Sequence, residues 1–452
     1  MKHPRKIPNN NKQLGLLASG FVKSGVGFFI GKLIGFAMQI ALARFLGVGS
    51  YGVFALAFTV FLLVQPVTTM GAPRAFIHFI PQFKEKDADY KAYLQCGFFT
   101  SVPVSIFVAL LLFIFSPYIA NDMFNSPSLA GVLRWFAIAI PFMAVIRLCA
   151  SWARARQQIA TQQILEQVLP SLLPLVCMVI WNEWGIRFHA AHAAGCFATG
   201  IGLTFLAAFV YGFRYTKILA SSKSQFLPLK SFARFAIPSM VTILTYVLLQ
   251  HMNKLLLGIW EGDKAVAWYA AAALMAGYVS IILTSFNSSF GPMVSQLYHK
   301  KKYEELNQLY KTCTRWIFTV SLLAVVYLLV YAKSIMLLFG PDFAGAYVLL
   351  ILLAMAQLVN AATGSAGLIL QMCGYQKVEV LNAVGALMLN GISAVVLIPA
   401  YGAIGAAISA VFALSSIHLI RVWEVYRLLK LSAYDNALVK PIIACIIAMT
   451  MG

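Results

Sequence analysis

Apolar segments of about 20 residues, separated by short stretches that contain most of the charges, repeat along the whole chain. A helix needs about 20 mostly apolar residues to cross the roughly 30 Å hydrocarbon core of a bilayer. The pattern therefore predicts twelve transmembrane helices, near residues 18–44, 50–73, 93–117, 131–153, 162–182, 190–213, 233–258, 265–292, 312–332, 344–372, 376–399 and 402–426.

A shorter apolar run, PIIACIIAMTMG, follows Lys440. It is too short to cross the bilayer as a helix. We expect either a chain truncated inside a thirteenth span or a re-entrant tail, and truncation is the favoured interpretation. The prediction is thus twelve full helices and a partial thirteenth.

The two halves of the chain repeat each other. The stretch LGVGSYGVFALA begins at Leu46, and the similar LGIWEGDKAVAWYAAAALMA begins at Leu257, about 210 residues later. Chance similarity of Leu- and Ala-rich segments is the alternative, but further matches follow in the same order. They pair the segments that begin at Phe79 and Met293, and those that begin at Asn121 and Ser334.

An internal duplication of this kind predicts two six-helix bundles. Because six is an even number, both halves enter the membrane from the same side, and a pseudo-two-fold axis along the membrane normal relates them. A cavity between two such bundles is typical of transporters. The predicted domains are an N-terminal lobe at 1–213, a cytoplasmic linker at 214–231, a C-terminal lobe at 232–430 and a final segment at 431–452.

Composition supports a polytopic all-α membrane protein. Hydrophobic residues make up 61% of the chain and charged residues only 11%, whereas a soluble domain has roughly 25% charged residues. No sizeable soluble domain is apparent between the spans. The composition therefore argues against a membrane enzyme with a catalytic lobe outside the bilayer.

The basic residues predict the orientation. The net charge is +20 at pH 7, and the lysines and arginines fall in alternate loops, such as Lys84, Lys86 and Lys91 after the second span. The loop at 116–131 has no lysine or arginine. By the positive-inside rule the N-terminus and the central linker are cytoplasmic. This spread of charge also argues against nucleic-acid binding.

Known catalytic and cofactor motifs are missing from the sequence. It has no P-loop, no HExxH, no Cys/His cluster with metal spacing and no plausible Ser/His/Asp arrangement. The seven cysteines include no CxxC pair. We therefore expect no enzymatic activity, no metal and no cofactor.

Four cations within or at the ends of N-terminal spans are candidates for binding an anion. Placing a charge against lipid at the centre of a bilayer costs at least about 2.5–3.5 kcal/mol, so Lys32 and Arg147 are expected to face a cavity or a partner. Arg44 and Arg74 lie closer to span ends, where extension to the headgroups is an equal alternative. Arginine and lysine suit phosphate groups.

Glu166 is the acidic residue that the pattern places well inside a span, beside the proline-containing run LPSLLP. It is a candidate for ion coupling, and a structural pair with Lys32 is the alternative. The C-terminal half carries uncharged amides in its spans, which suit sugar hydroxyls, although bonds between helices are their commoner use. The candidate sugar contacts are Asn253, Gln357, Asn360 and Asn390.

Several motifs resemble one family in order and spacing: LGVGSYGVFALA, GAPRAFIHFIPQF, FARFAIPSMVTILTYVLLQHMNKLLLG and LIPAYGAIGAAIS. They look like polysaccharide biosynthesis proteins of the multidrug/oligosaccharidyl-lipid/polysaccharide (MOP) exporter superfamily, the Wzx-type flippases. The resemblance covers nearly the whole chain. It implies two six-helix lobes in a V, as in MATE transporters, and alternating access. One departure is Asn253, where many members have an acidic residue, which puts ion coupling at that position in doubt.

The resemblance implies a flippase that moves undecaprenyl-diphosphate-linked oligosaccharide from the cytoplasmic to the outer leaflet of the bacterial inner membrane. The product would enter O-antigen and lipopolysaccharide, capsule or exopolysaccharide biosynthesis. Expected partners are the lipid-linked oligosaccharide, membrane lipids, a polysaccharide polymerase and a chain-length regulator. The alternatives are an ion-coupled multidrug exporter of the same superfamily and a polytopic polysaccharide polymerase.

Overall fold

A computed structural model describes residues 10–83, 87–183, 188–220 and 228–434. The centre of the predicted linker, at 221–227, and the predicted start of a thirteenth segment after Lys440 lie outside these ranges. Within them the chain forms fifteen α-helices and no β-strand. The all-α prediction is therefore confirmed for the described residues.

The first seven helices are α1 (Asn10–Thr68), α2 (Ala72–Phe79), α3 (Ala88–Tyr118), α4 (Ser128–Ala155), α5 (Ile159–Gln163), α6 (Leu169–Glu183) and α7 (Ala190–Ala220). The next eight are α8 (Leu229–Trp260), α9 (Asp263–Gly277), α10 (Ser280–His299), α11 (Tyr303–Val330), α12 (Ala332–Leu337), α13 (Tyr347–Ala362), α14 (Ala366–Met372) and α15 (Gln376–Leu429). Two π-helical segments, Ile119–Met123 and Ile164–Val168, and two 3₁₀ segments, Ile80–Gln82 and Pro341–Ala346, complete the helical structure of these ranges.

Helices α1 and α15 are each long enough for two membrane spans. They contain 59 and 54 residues, and at about 1.5 Å of rise per residue a helix of that length is more than twice the thickness of the hydrocarbon core. Each bends at one glycine with a positive φ, Gly47 (69°) and Gly402 (55°). Glycine alone adopts such angles without steric cost from a Cβ. A kink at a glycine therefore separates the first two predicted spans and the last two.

The number of spans agrees with the sequence prediction. Nine helices of the described chain are long and apolar enough to cross a membrane, and α9 with the start of α10 forms a further bent span with an angle of 41°. When α1 and α15 are each counted as two spans, the total is twelve. The chain is a multi-pass membrane protein.

The chain divides into two compact units. The first unit contains Met1–Leu42, Val64–Ser116 and Gly131–Val241, and the second contains Ala43–Leu63, Pro117–Ala130 and Thr242–Gly452. The sequence assigned Ala43–Leu63 and Pro117–Ala130 to the N-terminal lobe, whereas their contacts group them with the second unit. In that unit the Ser126 hydroxyl donates to Asp263 Oδ2 at 3.0 Å.

Each unit has an apolar core. In the first unit, Phe76 of α2, Trp152 of α4 and Phe232 of α8 are buried in one cluster, and the Trp152 indole N–H donates to the Tyr90 hydroxyl at 2.7 Å. In the second unit, the buried Tyr310 of α11 packs in a cluster with residues of α10, α14 and α15. The first cluster includes residues of α2 and α4, the helices that carry Arg74 and Arg147.

Candidate functional site

The π-helical segment Ile164–Val168 directly precedes α6 and carries Glu166. Pro170 has no amide hydrogen, and in a regular α-helix its ring would clash with the Glu166 carbonyl four residues earlier. The helix widens here, and the Leu169 amide donates to the Ile164 carbonyl five residues back. Single-turn π-bulges of this kind are frequent at functional sites.

The Glu166 side chain is half-buried and accepts a hydrogen bond from α5, the helix that precedes its segment. Its Oε2 accepts a hydrogen bond of 2.6 Å from Nε2 of Gln162, which is buried one turn earlier. This bond leaves other lone pairs of the carboxylate available for a second partner. The carboxylate is thus oriented but is not enclosed by hydrogen-bond donors.

Arg147 of α4 is a cation that interacts electrostatically with Glu166. Its side chain is half-buried with Nε fully buried, and the Glu166 carboxylate attracts the guanidinium electrostatically. Nevertheless the two side chains form no direct ion pair in the described residues, and Nε of Arg147 is buried without a hydrogen-bond partner. A buried donor without a partner is uncommon and calls for an explanation, such as a role in binding.

Lys32 of α1 lies beside the same π-helical segment. A Cβ on its neighbour Gly31 would lie 2.7 Å from the Cβ of Gln167, so the two backbones approach closely at this point. The Lys32 side chain is exposed on the surface of the unit. The structure therefore brings Lys32, Arg147 and Glu166 into one region of the first unit.

Arg74 and Arg44 differ in their surroundings. Arg74 is exposed on α2 in the first unit, while Ala72, Ala75 and Phe76 of that helix are buried. Arg44 belongs to the second unit, where its Nε donates to the Leu338 carbonyl at 2.8 Å. Arg74 therefore shares a unit with Lys32 and Arg147 and Arg44 does not, and the roles of all four cations in substrate binding stay predictions.

The predicted sugar contacts are of two kinds. Asn253 is buried, and its amide donates to the Tyr269 hydroxyl at 3.2 Å and to the Ala406 carbonyl at 3.0 Å, joining α8, α9 and α15. Asn390 is also buried. Gln357 and Asn360 are half-buried neighbours on α13, with 3.4 Å between Asn360 Nδ2 and Gln357 Oε1. The bonds of Asn253 are those of a residue that holds helices together.

A polar network in the second unit was missed by the sequence analysis. Arg421 donates from Nε to Oε2 of Glu379 at 3.0 Å and makes a second, shorter bond to Oε1. The Tyr246 hydroxyl donates to the same Oε1 at 3.0 Å. Nearby, Asn382 donates to Glu424. From the sequence, Glu166 was the one acidic residue expected well inside a span. Glu379 lies at the start of the eleventh predicted span and is nevertheless buried, with only 4% exposure.

Other features of the described chain lie away from these residues. A surface cavity of about 730 Å³ opens at the start of α11, and its lining contains none of the predicted site residues. In the described ranges no group of three His, Cys, Asp or Glu side chains is placed to hold a metal ion. The six cysteines described there are unpaired, while Cys445 lies outside those ranges.

Comparison of the sequence with known proteins gives a family and a relative. The family described as polysaccharide biosynthesis protein matches residues 41–347. Stage V sporulation protein B of Bacillus subtilis (strain 168) is 24% identical over 448 residues, an alignment that covers 92% of this chain and 83% of the relative. Both matches extend over most of the chain.

Solved structures share the fold. The lipid II flippase MurJ in an inward closed conformation gives a TM-score of 0.72 at 14% identity, covering 89% of this chain and 87% of MurJ. An inward-facing multidrug resistance MATE family transporter of the MOP superfamily gives 0.73 at 16% identity, covering 92% of this chain and 99% of the transporter. The chain has the fold of the MOP superfamily, as the sequence predicted. Because the family match spans more than half of its residues, the chain belongs to the polysaccharide biosynthesis protein family.

Proposed function

We propose that the protein is a flippase for undecaprenyl-diphosphate-linked oligosaccharide repeat units. The observation that carries this proposal is the buried Nε of Arg147, which has no hydrogen-bond partner among the described residues although a carboxylate lies nearby. A guanidinium offers five N–H donors in a planar fork that matches phosphate oxygens. Arg147 is thus prepared to bind an anion that arrives with the substrate.

The diphosphate would be bound by several cations at once. Arg147 donates to one phosphate, Lys32 to the other, and Arg74 extends the cationic surface of the first unit. Charge-assisted hydrogen bonds of this type contribute about 1.5–3 kcal/mol each. A neutral lipid alcohol has no anionic oxygen to pair with these cations, so the site would select the diphosphate lipid.

Glu166 couples binding to a second ion in this proposal. When the diphosphate binds Arg147, Glu166 loses the electrostatic attraction of that guanidinium. A carboxylate without a counter-charge is costly in an apolar segment, so uptake of a cation would accompany binding. Release of the substrate restores the attraction between Glu166 and Arg147.

The matched family and the shared fold support the proposed flippase function. The matched family is named for polysaccharide biosynthesis, and the structurally similar MurJ is described as a lipid II flippase. The loop charges predict a cytoplasmic N-terminus, so the repeat unit would move by alternating access to the outer leaflet of the bacterial inner membrane. A polymerase and a chain-length regulator would then act on it in O-antigen, capsule or exopolysaccharide biosynthesis.

An ion-coupled multidrug exporter is the second candidate function, because the fold is similar to that of a MATE family transporter. An exporter of cationic drugs would gain little from the cations of the first unit, because Arg147 and Lys32 repel a positive substrate. Drug resistance of a deletion strain measures this alternative directly. Unchanged drug resistance together with loss of surface polysaccharide is the result we expect.

The experiment that tests the proposal uses protein reconstituted in proteoliposomes. A fluorescent undecaprenyl-diphosphate oligosaccharide is incorporated, and its transfer between leaflets is followed by quenching from outside. We expect transfer with the protein and none in protein-free vesicles. Equal transfer in both would contradict the proposed function, as would accumulation of flipped but unpolymerised units in a deletion strain, which is the result expected for a polymerase.

A further inference from the structure

Lys254 of α8 is a second cation inside an apolar helix, in the half of the chain where the sequence analysis emphasised only amides. Its side chain is half-buried, and the surrounding protein partly desolvates the ammonium. Its Nζ lies 3.3 Å from Nδ1 of His251, one turn earlier on the same helix face. In the described part of the chain no carboxylate forms an ion pair with it.

The face of α8 that carries His251 and Lys254 continues to Gly258, four residues after the lysine. A Cβ on Gly258 would lie 2.8 Å from a methyl group of Leu56 and 3.0 Å from the ring of Phe124. Leu56 and Phe124 belong to the same unit as α8. Lys254 therefore lies one helical turn from a tight apolar contact, which excludes water on that side.

The carboxylates of the second unit for which bonds are described serve other partners. Glu379 accepts from Arg421 and Tyr246, and Asp263 accepts from Ser126. The neighbouring Asn253 is bonded to Tyr269 and Ala406. None of these groups compensates the Lys254 charge by direct contact. A desolvated ammonium without a counter-charge is unfavourable, and an anion from outside the protein removes that cost.

The contact with His251 defines which donors remain for such an anion. The Lys254 ammonium has three hydrogens and no acceptor, so it donates to Nδ1 of His251. A neutral imidazole that accepts at Nδ1 carries its proton at Nε2. The pair therefore presents the remaining ammonium hydrogens and one imidazole N–H as donors.

We propose that Lys254 and His251, both in the second unit, form a further anion-binding site for the translocated substrate. The inference rests on the proposed function, since the substrate supplies the anion. Two parts of a lipid-linked oligosaccharide have the required chemistry, the diphosphate and the carboxylate of an acidic sugar. Both are oxyanions that accept hydrogen bonds from an ammonium and an imidazole N–H.

The test compares Lys254→Met with the wild-type protein in detergent, by thermal unfolding and by equilibrium binding. The probes are undecaprenyl diphosphate and glucuronate. Without a ligand, Lys254→Met is expected to unfold at a higher temperature, because it removes a desolvated charge. Its Kd for at least one probe is expected to rise at least about tenfold, as for the loss of one charged hydrogen bond.

Two control variants separate charge from packing. Lys230 is an exposed lysine near the start of the same helix, and Lys230→Met is expected to change neither the unfolding temperature nor either Kd. Lys254→Arg keeps a positive charge and is expected to retain most of the affinity. Loss of affinity in Lys254→Arg equal to that in Lys254→Met would overturn the role of the charge.

The probe that loses affinity identifies the anion. A weaker Kd for undecaprenyl diphosphate assigns the site to the diphosphate, and a weaker Kd for glucuronate assigns it to an acidic sugar. Unchanged affinity for both probes, no binding of either by the wild-type protein, or a lowered unfolding temperature of Lys254→Met would overturn the proposal. Failure of the proposed function would appear separately, as absent lipid transfer in vesicles.

Discussion

The two units of the protein each contain an arginine and a glutamate on their helices. The two residues are hydrogen-bonded to each other in the second unit but not in the first. In the second unit, Arg421 donates two hydrogen bonds to Glu379, which also accepts from Tyr246. In the first unit, Arg147 and Glu166 attract each other without a direct ion pair, and Nε of Arg147 is buried without a partner.

A directly bonded ion pair and a buried donor without a partner indicate different roles, the first structural and the second in binding. An ion pair whose donors and acceptors are satisfied within the protein joins helices, and a ligand would have to break it in order to bind there. A desolvated guanidinium with an unused donor is unfavourable until an anion arrives. By this criterion the Glu379–Arg421 pair has a structural role in the second unit, whereas Arg147 keeps the unused donor that its proposed role in substrate binding requires.

The largest expected effect is on stability, from breaking the satisfied pair. Glu379→Gln leaves the Arg421 guanidinium buried without its counter-charge, which costs about 3–5 kcal/mol. Thermal and chemical unfolding in detergent, followed by circular dichroism, measures this loss. A variant as stable as the wild-type protein would show that the pair does not hold the second unit together.

Two further variants sharpen this prediction. Removing both charges, as in Glu379→Leu with Arg421→Met, is expected to recover most of the stability, because neither member of the buried pair is left without the other. The exposed pair of Lys302 Nζ and Glu305 Oε1, 2.6 Å apart, is the matched control. Glu305→Gln is expected to change the free energy of unfolding by no more than about 1 kcal/mol.

Arg147→Gln is expected to lower lipid transfer without lowering stability. Because the guanidinium is not bonded to Glu166, its loss is expected to leave the free energy of unfolding unchanged or slightly raised. Lipid transfer in proteoliposomes is expected to fall roughly 10- to 150-fold, the equivalent of about 1.5–3 kcal/mol for one charged hydrogen bond. Arg154→Gln, at an exposed position of the same helix, is the control and is expected to transfer lipid normally.

The smallest effect is expected from the π-helical segment. Pro170→Ala restores an amide hydrogen and removes the ring that excludes a regular α-helix at Glu166. The segment is then expected to tighten and turn the carboxylate away from Arg147, lowering lipid transfer several-fold without loss of stability. Transfer at the wild-type rate, measured beside Pro174→Ala as a second proline variant, would show that the bulge does not position Glu166.

The sequence predicted the helices well, because membrane insertion depends on the apolar content of a window of about 20 residues. The twelve apolar segments correspond to the spans of the described chain. The pattern did not predict that α1 and α15 would each run through two spans, because a kink at one glycine gives no hydropathy signal. Gly47 and Gly402 could have been recognised only as glycines at the span boundaries.

The site was predicted only in part. Lys32, Arg147 and Glu166 were chosen for their depth in spans, and the structure brings them near one another. Glu379 and Arg421 were missed because each lies near the end of an apolar segment and they are 42 residues apart. Hydropathy measures depth but not the direction of a side chain, so pairing across helices is a tertiary property.

Binding of the substrate diphosphate by the cations of the first unit can be examined in one transport assay. Transfer of fluorescent undecaprenyl-diphosphate oligosaccharide is compared between the wild-type protein and Lys32→Gln with Arg147→Gln, reconstituted at equal levels of folded protein. The double variant is expected to transfer the lipid no faster than protein-free vesicles. Transfer by the double variant at the wild-type rate would contradict this expectation.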